Sequence, residues 1–212
     1  MTLPPAQRPW IVDTTPGPVI SMRSDLPGWE EKVPDEGRRT AINNLFGRGR
    51  EGVDPAEVSD VVRLLQKSKR LPDGVKVDAA MLIVIGAVRE VIEELDPGRH
   101  QFVPIRVIEP NGTPIEKDWH VLVITHRQDT VVIEQSDLKH SDEGWRETWY
   151  LSHRSDTVTL DPAKLDESHL WWEERLEGGH ALFMSHAMKT ALKARDLRVL
   201  RQWRTRRFVP AI

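Results

Sequence analysis

Apolar residues recur every three or four positions in the first part of the chain and alternate with polar residues further on. The first pattern predicts a helix over residues 54–71, where Asp54 is a suitable cap and Pro55 suits the first helical position. A second apolar stripe, on a segment that is apolar nearly all round at its start, predicts a central buried helix over residues 78–95. Ser185 caps a last helix, predicted over residues 186–195.

Between these helices the apolar period is two, which is typical of strands. The pattern predicts strands at residues 10–12, 102–108, 119–126, 130–134, 145–151, 157–160, 170–172 and 181–184. Because helices come early and late and strands cluster between them, we predict an α+β fold. In this fold the middle and C-terminal part of the chain forms an antiparallel sheet, which packs against the three helices.

The first fifty residues differ from the rest, since they are rich in proline, glycine and arginine. We therefore expect two parts. Residues 1–52 form an irregular N-terminal segment with one short strand, and residues 53–212 form a single α+β domain.

Composition narrows the class of protein. Of 212 residues, 39% are hydrophobic, which is enough for a core, and the absence of cysteine excludes disulfides, cysteine-ligated zinc and thiol catalysis. The longest apolar run, residues 79–88, is too short to span a bilayer, and the N-terminus has no signal-peptide pattern. We expect a soluble cytoplasmic protein with no membrane partner.

Charge is unevenly distributed, although the net charge is only −3. Residues 101–188 carry 8 basic and 16 acidic side chains, whereas residues 189–212 carry 8 basic and 1 acidic. Either the basic tail folds back on acidic parts of the chain, or one of the two surfaces binds a charged partner. A nucleic-acid-associated module that uses the tail is one alternative, but no RNA-binding signature is present and we do not expect a nucleic-acid partner.

No catalytic or metal-binding motif is present. His120 and His126 share a strand face but lie roughly 20 Å apart in an extended chain, too far to share one ion. We therefore predict no metal, no cofactor and no catalytic residues. The alternative is an enzyme of unrecognised type, in which His120, His169 or His180 would meet carboxylates in a pocket.

Tryptophan is unusually abundant, with eight residues against one tyrosine and four phenylalanines. Tryptophan is favoured at interface anchors, and Trp145, Trp149, Trp171 and Trp172 lie in stretches rich in acids. They either close a small core or form a surface for a basic partner. On the second interpretation the candidate partner-binding residues are Asp142, Glu143, Trp145, Trp149, Trp171, Trp172, Glu173 and Glu174.

Three stretches together resemble a known family. The first runs from Asp78 through the acidic turn at residues 90–98 to the strand His100-Gln101-Phe102-Val103-Pro104-Ile105. The second is Leu160-Asp161-Pro162-Ala163-Lys164-Leu165 leading to His169-Leu170-Trp171, and the third is Ala181-Leu182-Phe183-Met184-Ser185 leading into a helix. This order is similar to that of the myxobacterial-type immunity proteins of bacterial polymorphic-toxin systems. The resemblance covers residues 78–210 and, loosely, residues 9–13.

The resemblance implies that the protein neutralises a co-encoded toxin by binding it, without chemistry of its own. It supplies no catalytic or ligand-binding residues. The partner that we expect is thus a cognate toxin or effector protein, and the oligomeric state stays open.

Overall fold

The computed structural model of the protein describes residues 9–12, 52–58, 60–64, 67, 71–77, 81–136, 138–141, 144–147, 158–176, 182–199, 205–207 and 209–210. These residues form two five-stranded sheets, two pairs of strands and two α-helices. The α+β fold is therefore confirmed.

The first sheet contains the central part of the chain. Its strands, in spatial order, are β2 (Val61–Arg63), β5 (Gln101–Ile108), β6 (Trp119–Val123), β4 (Met81–Ile85) and β3 (Gly74–Val77). Strand β2 is parallel to β5, and the other neighbours are antiparallel. Helix α1 (Gly86–Leu95) follows β4 directly and packs on β4 and β6.

The second sheet joins the two ends of the chain. Its strands, in spatial order, are β13 (Thr205–Arg207), β1 (Trp10–Val12), β12 (Leu182–Met184), β11 (Leu170–Glu173) and β7 (Arg127–Gln128). Helix α2 (His186–Ala194) follows β12 and contacts α1. The predicted cap is confirmed, since Ser185 Oγ accepts a hydrogen bond from the N–H of Met188 at 3.0 Å.

The remaining strands form two pairs. Strands β8 (Leu138–Ser141) and β9 (Gly144–Glu147) form an antiparallel hairpin, whereas β10 (Thr159–Leu160) and β14 (Val209–Pro210) are parallel. The sheets are thus mixed, and the prediction of an antiparallel sheet was wrong at β2–β5, β7–β11 and β10–β14. No strand forms at residues 130–134, where one was predicted; of these residues only Val131 takes part in β pairing, through an isolated bridge to Leu160.

The helix predicted over residues 54–71 is wrong. Asp54 does cap a turn, accepting from the N–H of Ala56 at 2.9 Å, but this 3-10 turn ends at Glu57 and strand β2 follows. Val61 and Val62 are both buried. A strand covered on both faces buries consecutive apolar residues, and over so short a run this pattern matches helical spacing as well.

The helix predicted over residues 78–95 is half right. Residues 81–85 form strand β4, and the helix begins only at Gly86. Strand β4 lies between β3 and β6, and Met81, Leu82, Ile83 and Val84 are all buried. The nearly all-round apolar character of this segment therefore comes from a central strand, and not from a buried helix.

One continuous core lies beneath both helices. Helix α1 buries Val88, Val91 and Ile92, and α2 buries Met188 and Leu192. The core includes residues of both five-stranded sheets. The proposed boundary at residue 52 stays a prediction, because residues 13–51 lie outside the described part of the chain.

Candidate partner-binding site

A buried carboxylate joins the end of α1 to the start of β11. Both oxygens of Asp96 accept from the main-chain N–H of His169 at 2.9 Å, and Oδ2 lies 3.4 Å from Nε2 of His100. Burial by itself would raise the pKa of Asp96, but the hydrogen bonds from His100 and His169 outweigh burial and hold the pKa below its ordinary value. The carboxylate is therefore ionised and fully engaged inside the protein.

A second carboxylate fastens the loop before β11 to β7. Asp166 Oδ1 accepts from the side-chain amide of Gln128, and Oδ2 lies 2.8 Å from His126 Nε2. Burial opposes ionisation of Asp166, but hydrogen bonds from Ser168 and the charge of His126 lower its pKa overall. The loop is thus held rigidly beside Gln128.

A third carboxylate, that of Glu173, lies at the end of β11. It accepts from the N–H of Thr130 at 3.0 and 3.1 Å and from Thr130 Oγ1 at 2.6 Å. Glu173 is only 1% exposed, and burial raises its pKa although the Thr130 hydrogen bonds lower it in part.

The acids at the C-terminal end of α1 are also paired within the chain. A helix dipole disfavours negative charge at this end. Arg195, which follows α2, donates to both carboxylate oxygens of Glu94 and lies 3.9 Å from Glu90, and Glu93 accepts from the N–H of Gly98 at 3.3 Å. The basic tail therefore does fold back on acids at Arg195, but these acids precede residue 101.

The structure places the predicted partner-binding residues in different environments. Trp171 and Trp172 are only 1% and 4% exposed, and Glu173 is buried beside them. Strand β11 lies between β12 and β7 and is covered on both faces, so both alternating rings enter the interior, where Trp171 stacks on Phe183 with centroids 5.6 Å apart. These three side chains present no surface to a partner in this structure.

Glu174 is the one residue of the predicted set whose side chain is described and exposed. Trp145 belongs to β9, but its side chain lies outside the described part of the structure, as do Asp142, Glu143 and Trp149. The partner-binding role of the set stays a prediction.

Two acids that the sequence reasoning missed accompany Glu174. The main-chain N–H of Glu174 donates to the carbonyl of Gln128 at 2.8 Å, and Gln128 also contacts Asp166. Glu167 follows Asp166 and is 87% exposed, with one contact to Arg99 at 3.0 Å. We call Asp166, Glu167 and Glu174 the acidic edge.

The sequence feature that indicates two of these acids, Asp166 and Glu167, is the loop that begins at Asp161-Pro162, since loops hold exposed polar residues.

One pair of residues has the spacing of a catalytic dyad and also caps a helix. Ser185 Oγ lies 2.7 Å from His169 Nδ1, the geometry of an activated serine. The same oxygen caps α2, and Asp96 binds the main chain of His169 and does not orient its ring.

Among the described residues no group of three or more histidines, aspartates and glutamates could hold a metal ion.

Comparison with known families decides the identity of the protein. The family model described as "Immunity protein family (Imm11)" matches residues 15–205, which is most of the chain. The chain belongs to this immunity protein family. No curated protein matches the chain.

Neither helix of the described residues has the length and apolar character needed to cross a membrane.

For this immunity protein, the carboxylates thus divide into two groups. Asp96 and Glu173 are buried and bind groups inside the protein, whereas Glu167 and Glu174 of the acidic edge are exposed and Asp166 both fastens its loop and is partly exposed. The two groups should respond differently to substitution.

Asp96→Ala should lower the free energy of unfolding by about 3 kcal/mol or more, because the His169 N–H loses a charged partner in the interior. Glu94→Ala is the matched control at the same helix end, and it should have a much smaller effect because its pair with Arg195 is exposed. Urea denaturation measures both. Equal effects would contradict a special role for Asp96.

Glu173 should give stability a distinctive pH dependence. Its pKa in the folded chain is raised, so on lowering the pH from neutrality the folded state takes up this proton before the unfolded state does. This group therefore stabilises the fold increasingly as pH falls towards 4.5, its ordinary pKa. Glu173→Gln should remove that gain.

The measurement is the free energy of unfolding of wild type and Glu173→Gln between pH 7 and about pH 4.5. Taking the difference cancels the contributions of the histidines. Below this range the lowered pKa values of Asp96, Asp129 and Asp166 act with the opposite sign, since their stabilisation is lost as pH falls through them. An unchanged pH slope in the variant would refute the prediction.

Proposed function

We propose that this protein binds a cognate bacterial toxin in the bacterial cytoplasm and neutralises it by occlusion, without catalysing a reaction. The observation that carries the proposal is the match of the immunity family model over residues 15–205. An immunity protein needs a stable surface that fits its toxin, and it needs no reacting groups of its own.

The geometry of the polar side chains supports binding over catalysis. Three described groups that could take part in acid–base or nucleophilic chemistry have structural partners: Asp96 holds His169, Glu173 holds Thr130, and Ser185 caps a helix. A catalytic acid or base must instead reach a substrate. These groups therefore stabilise the fold that supports the binding surface.

Glu174 is the exposed part of the predicted contact surface that the described residues offer, and Asp166 and Glu167 join it in the acidic edge. We propose that it contacts basic groups of the toxin, together with the residues of the predicted set that lie outside the described structure. Opposite charge on the two partners speeds their encounter, and the effect weakens as salt screens it.

The test of the function is coexpression with the toxin whose gene adjoins that of this protein. We expect the protein to restore growth and to elute with the toxin as one complex in size-exclusion chromatography. Restored growth with no complex, and with covalent change in the toxin or its target, would instead indicate an enzyme.

Charge reversal tests the acidic edge. Glu167→Lys combined with Glu174→Lys should slow association with the toxin about tenfold at low salt and less at high salt, measured by stopped flow. Glu116→Lys combined with Glu134→Lys is the control, since both residues are exposed and neither belongs to the acidic edge. If the two double variants slow association equally, the acidic edge has no specific role.

A further inference from the structure

Arg89 is an exposed arginine that other side chains hold in one position. It lies on α1, and its Nη1 is 3.2 Å from Nε2 of His120 on β6. Its guanidinium carbon lies 5.5 Å from the centre of the Phe102 ring on β5, within the range of a cation–π interaction. Residues from three elements thus define where this cation sits.

Arg89 differs from the other arginines in its neighbourhood because it has no carboxylate partner among the described residues. Arg106 pairs with Asp60 at 2.9 Å, and Arg195 pairs with Glu94. Arginine has donors only, so His120 Nε2 must accept the hydrogen bond. The charge of Arg89 is therefore held in position without a direct carboxylate contact from the described residues, although Asp118 contacts the same Nε2 of His120 at 3.7 Å.

The state of His120 follows from this contact. Burial lowers the pKa of His120, and the nearby charge of Arg89 lowers it further, while Asp118 acts in the opposite direction. His120 is therefore neutral, with its proton on Nδ1, and that buried Nδ1 has no hydrogen-bond partner.

The surface around Arg89 is partly apolar. Phe102, Pro104 and Arg106 occupy every second position of β5 and therefore lie on the same face of the strand. Pro104 is directly opposite His120 in the register of β5 and β6. Pro104 is exposed, Phe102 is half-buried and the Arg106 side chain is 71% exposed. A rigid cation beside an aromatic ring and a proline has the composition of an interface anchor.

We propose that Arg89 is the anchor of the toxin interface and receives a carboxylate of an acidic segment of the toxin. The inference rests on the proposed function and names the chemistry of one contact. A guanidinium can bind a carboxylate with two parallel hydrogen bonds, and stacking on Phe102 removes much of the entropy cost of fixing the side chain. The toxin carboxylate would pair with the Arg89 guanidinium, which has no direct carboxylate contact among the described residues.

This anchor is compatible with the acidic edge. Arg89 is seven residues before Asp96, about 10 Å along the helix axis, and Asp96 joins the segment that carries Asp166 and Glu167. An interface of ordinary size covers about 800 Å² on each partner, so one toxin molecule can span both features. It would contact the acidic edge with basic groups and Arg89 with an acid.

The test measures the affinity and dissociation rate of the purified toxin for three variants. Arg89→Ala should weaken binding about 30-fold, mainly through faster dissociation, and Arg89→Lys should weaken it by a smaller factor, since it keeps charge but loses the paired donors. Arg106→Ala removes the same charge from the same face, but from an arginine that is already paired. It should change affinity less than about threefold.

Thermal melting separates binding from folding. Arg106→Ala should melt like the wild type because Arg106 is exposed, whereas the two Arg89 variants should stay folded with a small decrease in melting temperature, because Nε2 of buried His120 loses or weakens its hydrogen bond. Wild-type protein that fails to bind the toxin refutes the proposed function. Wild-type binding with no loss in Arg89→Ala, or with equal losses in Arg89→Ala and Arg106→Ala, leaves the proposed function standing and refutes the anchor.

Discussion

The burial of the Asp96 carboxylate is the constraint on which the arrangement of the two sheets depends. An ionised carboxylate in a protein interior is tolerated only where hydrogen bonds replace the water it has lost. For Asp96 these bonds come from His100, at the start of the segment leading into β5, and from His169, just before β11. The first sheet and the second sheet must therefore meet at this point, and α1 and α2 pack side by side above it.

Carboxylates serve a similar purpose within the second sheet and between the two helices. Asp166 and Glu173 each fasten a loop to a neighbouring strand, and Arg195 neutralises the acids of α1. Because these polar groups bind one another, they hold the exposed residues in fixed positions. A surface that is rigid before binding loses little entropy on association, as expected for a protein that inhibits by occlusion.

Local signals in the sequence were sufficient where one short segment decides its own structure. The Ser185 cap and helix α2, the strand at residues 10–12 and strand β6 all agree with the predictions. The errors lie where burial on both faces hides the period, as in β2 and β4, since a strand covered on both faces and a buried helix are both continuously apolar. Parallel pairings such as β2 with β5 depend on distant segments and leave no local pattern.

The candidate site was harder to predict for the same reason. Trp171, Trp172 and Glu173 lie beside acids in sequence, but β7 and β12 flank their strand and both of its faces are covered, so only Glu174 of that run is exposed. Arg89 gave no signal at all, because its position depends on His120 and Phe102 from two other elements. The resemblance to immunity proteins, by contrast, rested on the order of several short motifs, and the family match confirms it.

The most direct test of neutralisation by binding is a titration of the toxin's activity with the purified protein. Stoichiometric occlusion predicts that residual activity falls linearly with added protein, reaches zero at a fixed molar ratio, and does not change with incubation time. Progressive loss of all toxin activity in the presence of a small fraction of one equivalent would show turnover, and would contradict the account.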